Sequence, residues 1–386
     1  MTVASPTTPG HASRPQLLHD QQGQSPWLDD LTRGYLTSGE LARWVASGLR
    51  GVTSNPTIFQ RAIAGASHYD EQFGALTRSG RSVDDAYWEV VVDDIKRGAA
   101  RAAAGARRQR RGRGFVSVEV APDLAHDTAG TVTAARALHD RIAQPNLMVK
   151  VPATTAGVAA IRQLVSEGRS INVTLVFGLP RCAQVIEAYL TGLQELAARD
   201  PPADLAAVPG VASFFISRVD TAVDRRLDEI GSPEAISLRG QAAIAQAKLA
   251  YQLFTEAFSG PRWAALAARG ARVQRPLWAS TSVKDPAVAD TRYVDELIGP
   301  DTITTMPPAT ITAVIDHGTS ARTVDRDLPA ARDVLRRLTG LGIDLDEVSA
   351  ALETEGVHSF TQASGALSGA LSAEAAPLVA HETVGS

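Results

Sequence analysis

A single cysteine, Cys182, excludes an intrachain disulfide and fits a chain kept in a reducing cytoplasm. The eight histidines are scattered and form no HxxxH or HxH pair. With one thiol besides, neither a histidine/thiolate zinc site nor any other metal centre is expected. The chain lacks a Walker loop and a GxGxxG turn, which removes the common nucleotide-binding fingerprints. No apolar run reaches the ~18 residues of a membrane span, and the opening MTVASPTTPGHASRPQ lacks the apolar stretch of a signal peptide. Basic residues are not in surplus: 38 Lys and Arg face 42 Asp and Glu, a net charge of -4. A dedicated nucleic-acid-binding domain would be strongly basic, so neither nucleic acid nor membrane is expected as a partner.

What is present is an alternation. Residues 1–24, rich in Pro, Ser, Thr, Gly and Gln, read as a disordered lead-in. From Trp27 onward short apolar runs alternate with amphipathic stretches. The runs are Trp27–Leu31, Gly51–Thr53, Phe115–Val120, Leu147–Val151, Ile171–Phe177, Val211–Ile216, Val273–Ser280 and Thr302–Thr305, eight expected strands. Thr37 with Glu40 three residues on reads as a capping box opening a helix over Leu41, Trp44, Val45 and Leu49. Val158, Ile161, Leu164 and Val165 form one apolar helix face, and Cys182, Val185, Ile186, Tyr189 and Leu193 form another. The Ala-rich segment 236–258 reads as one helix. Leu328–Leu338 and Asp344–Glu355 read as helices packed outside, and the tail 361–386 as weak helix or disorder.

Buried strands alternating with helices imply a parallel sheet, and eight strands can close it into a barrel. The pattern alone leaves a (β/α)8 barrel and an open doubly wound sheet as alternatives. Catalytic groups of a barrel sit at the carboxyl ends of its strands. The polar residues in or just after the apolar runs are therefore the ones to explain: Asp29, Thr53, Asn55, Glu119, Lys150, Asn172, Thr174, Ser213 and Arg218. Lys150, between Met148-Val149 and Val151-Pro152, is the sharpest. Burial disfavours a lysine's charged form and leaves free amine to attack a carbonyl. A structural ion pair with Glu119 or Asp29 explains the residue equally well.

The blocks GVTSNPTIF (51–59), LMVKVPATTAG (147–157), INVTLVFG (171–178), SFFISRVD (213–220), RPLWASTSVKDP (275–286) and TTMPPAT (304–310) resemble, in this order, those of transaldolases. The resemblance covers residues 25–360 and points to the longer bacterial branch of that family. It implies a class I aldolase barrel with extra helices at its C-terminal end. The Schiff-base lysine of the fourth strand falls on Lys150. The acid of the third strand, acting through a water, falls on Glu119, and the acid of the first strand on Asp29, with Asp30 beside it as the competing assignment. Asn55, Asn172, Thr174 and Ser213, with Thr53 and Ser280, would hold the ketose, and Arg218 its phosphate. Where shorter relatives carry a second arginine this chain has Ser280-Thr281-Ser282-Val283-Lys284, so that Lys284 or Ser282 would substitute.

The implied reaction moves a dihydroxyacetone unit from sedoheptulose 7-phosphate to glyceraldehyde 3-phosphate, giving erythrose 4-phosphate and fructose 6-phosphate. It belongs to the pentose phosphate pathway and needs no cofactor. The alternatives are an aldolase acting on fructose 6-phosphate, a transaldolase of secondary metabolism with another acceptor, and a non-catalytic sugar-phosphate binder. The sequence leaves monomer and homodimer open. Two features depart from the family or stand outside it. Ala121-Pro122-Asp123 follows Glu119 where an Asp and an Arg are usual, and the basic run Arg107–Arg113, without interleaved aromatics, reads as a solvated loop. Cys182, His126 and Trp278 read as core, turn and core.

Overall fold

The computed structural model describes residues 12–64, 68–108 and 114–380. Eight parallel strands close into one barrel in sequence order, β1 pairing with both β2 and β8. They are β1 (Ser25–Asp29), β2 (Gly51–Thr53), β3 (Phe115–Glu119), β4 (Leu147–Pro152), β5 (Ile171–Val176), β6 (Gly210–Phe215), β7 (Arg275–Ala279) and β8 (Ile303–Met306). Each contains most of an expected run. Continuous apolar segments suit strands covered on both faces, and β4, β5 and β6 are buried at every position.

The helices run α1 (Arg14–Gln22), α2 (Arg33–Thr37), α3 (Glu40–Ala46), α4 (Pro56–Ala64), α5 (Asp70–Arg78), α6 (Val83–Arg108), α7 (Thr128–Ile142), α8 (Thr155–Ser166) and α9 (Leu179–Arg199). The second half continues with α10 (Ser217–Ile230), α11 (Pro233–Ser237), α12 (Ala242–Ala257), α13 (Pro261–Ala267), α14 (Arg292–Asp295), α15 (Pro308–His317), α16 (Leu328–Gly340) and α17 (Leu345–Ala380).

Inside the barrel the packing is tight enough to dictate residue size. Trp27 on β1 lies opposite Gly51 on β2, and a Cβ at Gly51 would come within 2.4 Å of the Trp27 ring. Glycine is the residue that lets the indole fill that layer. Above it the register sets Asp29 beside Thr53, Glu119 beside Lys150, Lys150 beside Asn172, and Pro152 beside Thr174.

Four expectations need correction. The lead-in is not wholly disordered, because α1 begins at Arg14 with a reciprocal cap in which Ser13 accepts from the Gln16 amide and Gln16 from the Ser13 amide. Leu18 then anchors α1 in the core. Thr37 caps nothing: its hydroxyl donates back to the carbonyl of Arg33 inside α2, and α3 starts after Gly39. The Ala-rich segment is broken between α11 and α12, where Gly240 takes a left-handed φ of 66°. Finally, the last helix does not stop near Glu355 or stay outside. α17 runs on to Ala380 and packs against α4, α5, α10 and the turn Pro122–His126, which places it across the carboxyl ends of the strands. Residues 1–11, most of the basic run (109–113) and the last six residues of the tail lie outside the described residues.

Candidate active site

At the carboxyl ends of the strands lies a cavity of about 90 Å³. Asp29, Thr53, Asn55, Lys150, Thr174 and Ser213 line it, together with Arg218, Ser280, Thr305 and two rings, Phe215 and Phe360. Strand alternation explains who faces in: residues two apart share a face, so Ser213 brings Phe215 with it on β6.

Lys150 is buried, and its Nζ lies 3.1 Å from Glu119 Oε2 and donates to the Ser54 carbonyl at 3.2 Å. Their side chains are only 6% and 4% exposed, and Lys150 both pairs with Glu119 and lines the cavity. Burial raises the Glu119 carboxyl above its ordinary range, while Lys150 pulls it down. Asp29 is likewise raised by burial, against the pull of Lys150, Arg61 and Arg218. Asp29, not Asp30, lines the cavity. Asp30 accepts a hydrogen bond from the Tyr35 hydroxyl at 3.3 Å.

Arg218, first-turn residue of α10, stacks over Phe215 at 5.5 Å and Phe360 at 5.9 Å. Among the described residues it makes no ion pair. Burial pushes its guanidinium down from the ordinary range, with Glu355, Glu119 and Asp29 opposing. A desolvated, unpaired guanidinium is a ready receptor for an anion with paired oxygens.

The neutral residues divide into two kinds. Thr53 Oγ1 and Thr174 Oγ1 are buried without a hydrogen-bond partner among the described residues. Beyond Thr174 the register of β5 against β6 shifts, and Leu175 takes a left-handed φ of 59°. Ser280, at φ 57°, does the same after β7. Two non-glycine residues held there mark strained backbone at the mouth of the barrel. By contrast Asn55 Oδ1 accepts from the Ile58 amide at 3.0 Å and so caps α4, although its side chain still reaches the cavity.

Two expected ligands need correction. Asn172 is fully buried and does not line the cavity: it donates to Ser117 at 3.1 Å and accepts from Ser213 at 2.7 Å. It therefore orients Ser213 from below. Lys284 is exposed and bound to Ser282 at 2.6 Å, outside the cavity wall, because the loop after β7 carries it into solvent. Ser280 remains in the wall, hydrogen-bonded to Ser217 at 2.7 Å. Sequence reasoning missed Phe215, Phe360, Thr305, Arg61 and the Ser54 carbonyl. Only Phe215 had a signal, its spacing of two from Ser213. Cys182 is buried, its thiol pushed up to about 12 by burial, and Trp278 is core, donating to the Leu297 carbonyl at 2.9 Å. His126 is exposed in the turn after β3. Among the described residues no group of three or more His, Cys, Asp or Glu could hold a metal ion.

Fold and site together define a (β/α)8 barrel with a lysine, two acids and a free arginine gathered at its carboxyl ends. The family profile "Transaldolase/Fructose-6-phosphate aldolase" matches residues 26–371, and the chain belongs to that family. Among its relatives, Transaldolase 1 of Streptomyces coelicolor is 48% identical over 89% of this chain and 90% of its own length. The Transaldolase of Thermobifida fusca is 48% identical over 88% and 92%, and that of Frankia alni 46% over 88% and 91%.

Proposed function

We propose that this chain is a transaldolase, a transferase that carries a dihydroxyacetone unit between phosphorylated sugars through an imine on Lys150. The observation that carries the reading is the buried amine 3.1 Å from Glu119, in one cavity wall with Asp29 and the unpaired Arg218. The Lys150 amine attacks the C2 carbonyl of sedoheptulose 7-phosphate. Glu119, whose proton affinity burial raises, passes a proton so that the carbinolamine oxygen leaves as water. The protonated imine is the electron sink. Asp29 takes the proton of the C4 hydroxyl, the C3–C4 bond breaks, and erythrose 4-phosphate departs.

The enamine stays on Lys150 until glyceraldehyde 3-phosphate arrives. Its carbon then attacks the aldehyde, Asp29 returns a proton to the new hydroxyl, and water releases fructose 6-phosphate. Arg218 holds the phosphate in each half. Ser213, oriented by Asn172, grips the ketol end together with Thr53, Thr174, Asn55 and Ser280. Such fixed placement can supply on the order of 7 kcal/mol of the barrier. The chain uses no organic cofactor in this scheme and works in the cytoplasm, on substrates that are themselves phosphorylated.

Borohydride added with fructose 6-phosphate should leave a reduced adduct on Lys150, read by peptide mass spectrometry. No adduct there would sink the reading. A coupled assay with and without glyceraldehyde 3-phosphate separates transfer from simple aldol cleavage. Product formation only with the acceptor is the expected outcome.

A further inference from the structure

Glu119 belongs to the wall of a second cavity, about 330 Å³ in volume, which Lys150 does not line. This space lies between α4, α6, the turn after β3 and α17, and shares only Asn55 with the substrate cavity. We propose that it is a water inlet serving Glu119, separate from the route by which the sugar reaches Lys150. The inference rests on the imine chemistry proposed above.

The argument starts from the water balance. Forming the imine expels the ketone oxygen as one water, and hydrolysis takes one back. While a sugar is joined to Lys150 with its phosphate at Arg218, the cavity of about 90 Å³ is occupied by substrate. The second cavity has room for roughly ten waters at ~30 Å³ each. Glu119 is buried and ion-paired through Oε2 with Lys150, and a carboxylate has lone pairs left to accept from a water on its other side. Exposed acids, Asp84 and Asp123, line the space, and among the described residues no lysine or arginine does. Water passes such acids, whereas a phosphorylated sugar is repelled. Tyr87, in the wall, is held in its protonated, donor form by burial and by the charges of Asp84 and Glu119.

Gly365 on α17 offers a way to close the inlet, since a Cβ there meets nothing within 4 Å. The experiment incubates the full chain with fructose 6-phosphate in ¹⁸O-water, without acceptor, and follows label entering the C2 carbonyl. Gly365→Trp should slow incorporation about tenfold relative to Gly365→Ala, with the KM for fructose 6-phosphate unchanged. Ala121→Leu, plugging from the opposite wall, should act in the same direction and covers the case in which the tryptophan variant does not fold. Equal incorporation by wild type and both plugged variants overturns the inlet alone. No incorporation by the wild type overturns the imine reading and the inlet with it.

Discussion

The two ends of the barrel treat buried polar side chains differently. At the amino ends several of them are engaged by loop backbone. Asn146, just before β4, donates to the carbonyls of Ala99, at 2.9 Å, and Gly114. Gln24, just before β1, donates to the Leu297 carbonyl at 2.7 Å, and the Tyr189 hydroxyl reaches the carbonyls of Val208 and Arg272 at 2.9 and 2.8 Å. At the carboxyl ends the side chains face each other across the cavity. Among the described residues Thr53 and Thr174 have no hydrogen-bond partner and Arg218 has no ion pair, while Lys150 and Glu119 form a pair that is almost wholly desolvated. A folded protein satisfies its buried polar groups unless something else does so. Unpartnered atoms remain at the amino ends too, Gln24 Oε1, Asn146 Oδ1 and Gln274 Oε1, but only the Thr53 and Thr174 hydroxyls belong to residues that line the cavity of Lys150.

The largest test of that contrast is Lys150→Met. Activity should fall at least about 10⁴-fold. Removing one member of a buried pair leaves the other uncompensated, at a cost of roughly 3–5 kcal/mol. The sign with pH follows from Glu119: an acid whose folded pKa is raised holds its proton more tightly than in the unfolded chain, so folding is penalised increasingly as pH rises. The loss should therefore be larger at pH 8 than at pH 5. Adding Glu119→Gln should restore stability without restoring activity. A single variant as stable as wild type at pH 8 would show that the pair carries no such strain.

A smaller effect is expected at Asp220, a buried acid that does not line the cavity of Lys150. Its Oδ1 accepts from the Ala243 amide at 2.8 Å, at the start of α12, and burial pushes its carboxyl up to about 6. The penalty is absent below about pH 4, the ordinary carboxylate range, and complete above about 6. Wild-type stability should thus decline as pH rises through that window. Asp220→Asn keeps the acceptor and removes the charge, and should stabilise the protein at pH 8 by up to about 3 kcal/mol, with activity intact. Melting curves from pH 4 to 8 check this; a variant less stable than wild type throughout the range would refute it.

How far the sequence revealed this arrangement depended on how local the signal was. The eight strands were legible because parallel strands covered on both faces are apolar from end to end. Ser25 and Pro26 of β1 were not, since their composition is that of a loop. Lys150 and Glu119 stood out as charges inside apolar runs, and the family blocks set them in order. α1 was missed because it is polar and held by its Ser13–Gln16 cap and Leu18. The Thr37–Glu40 spacing misled because Gly39, between them, starts the helix instead. Lys284 was drawn in by analogy with an arginine, though nothing in its own segment is apolar enough to bury it. Phe360 arrives from a helix far along the chain and Ser54 contributes a backbone carbonyl, neither of which leaves a trace in local composition.

The finest comparison sets one hydroxyl from each end side by side. Tyr189→Phe removes the group that meets two loop carbonyls at the amino end. The buried acceptors left behind should cost about 1–2 kcal/mol, with activity per folded molecule unchanged. Thr174→Val removes a hydroxyl with no protein partner, so stability should shift by less than about 0.5 kcal/mol in either direction. If that oxygen meets the substrate or a reacting water, the same change should lower kcat about 10- to 100-fold. Denaturant titrations and initial rates on the two variants give both axes at once. Equal destabilisation by both, with activity equally kept, would mean that the two ends do not differ in the way their hydrogen bonds suggest.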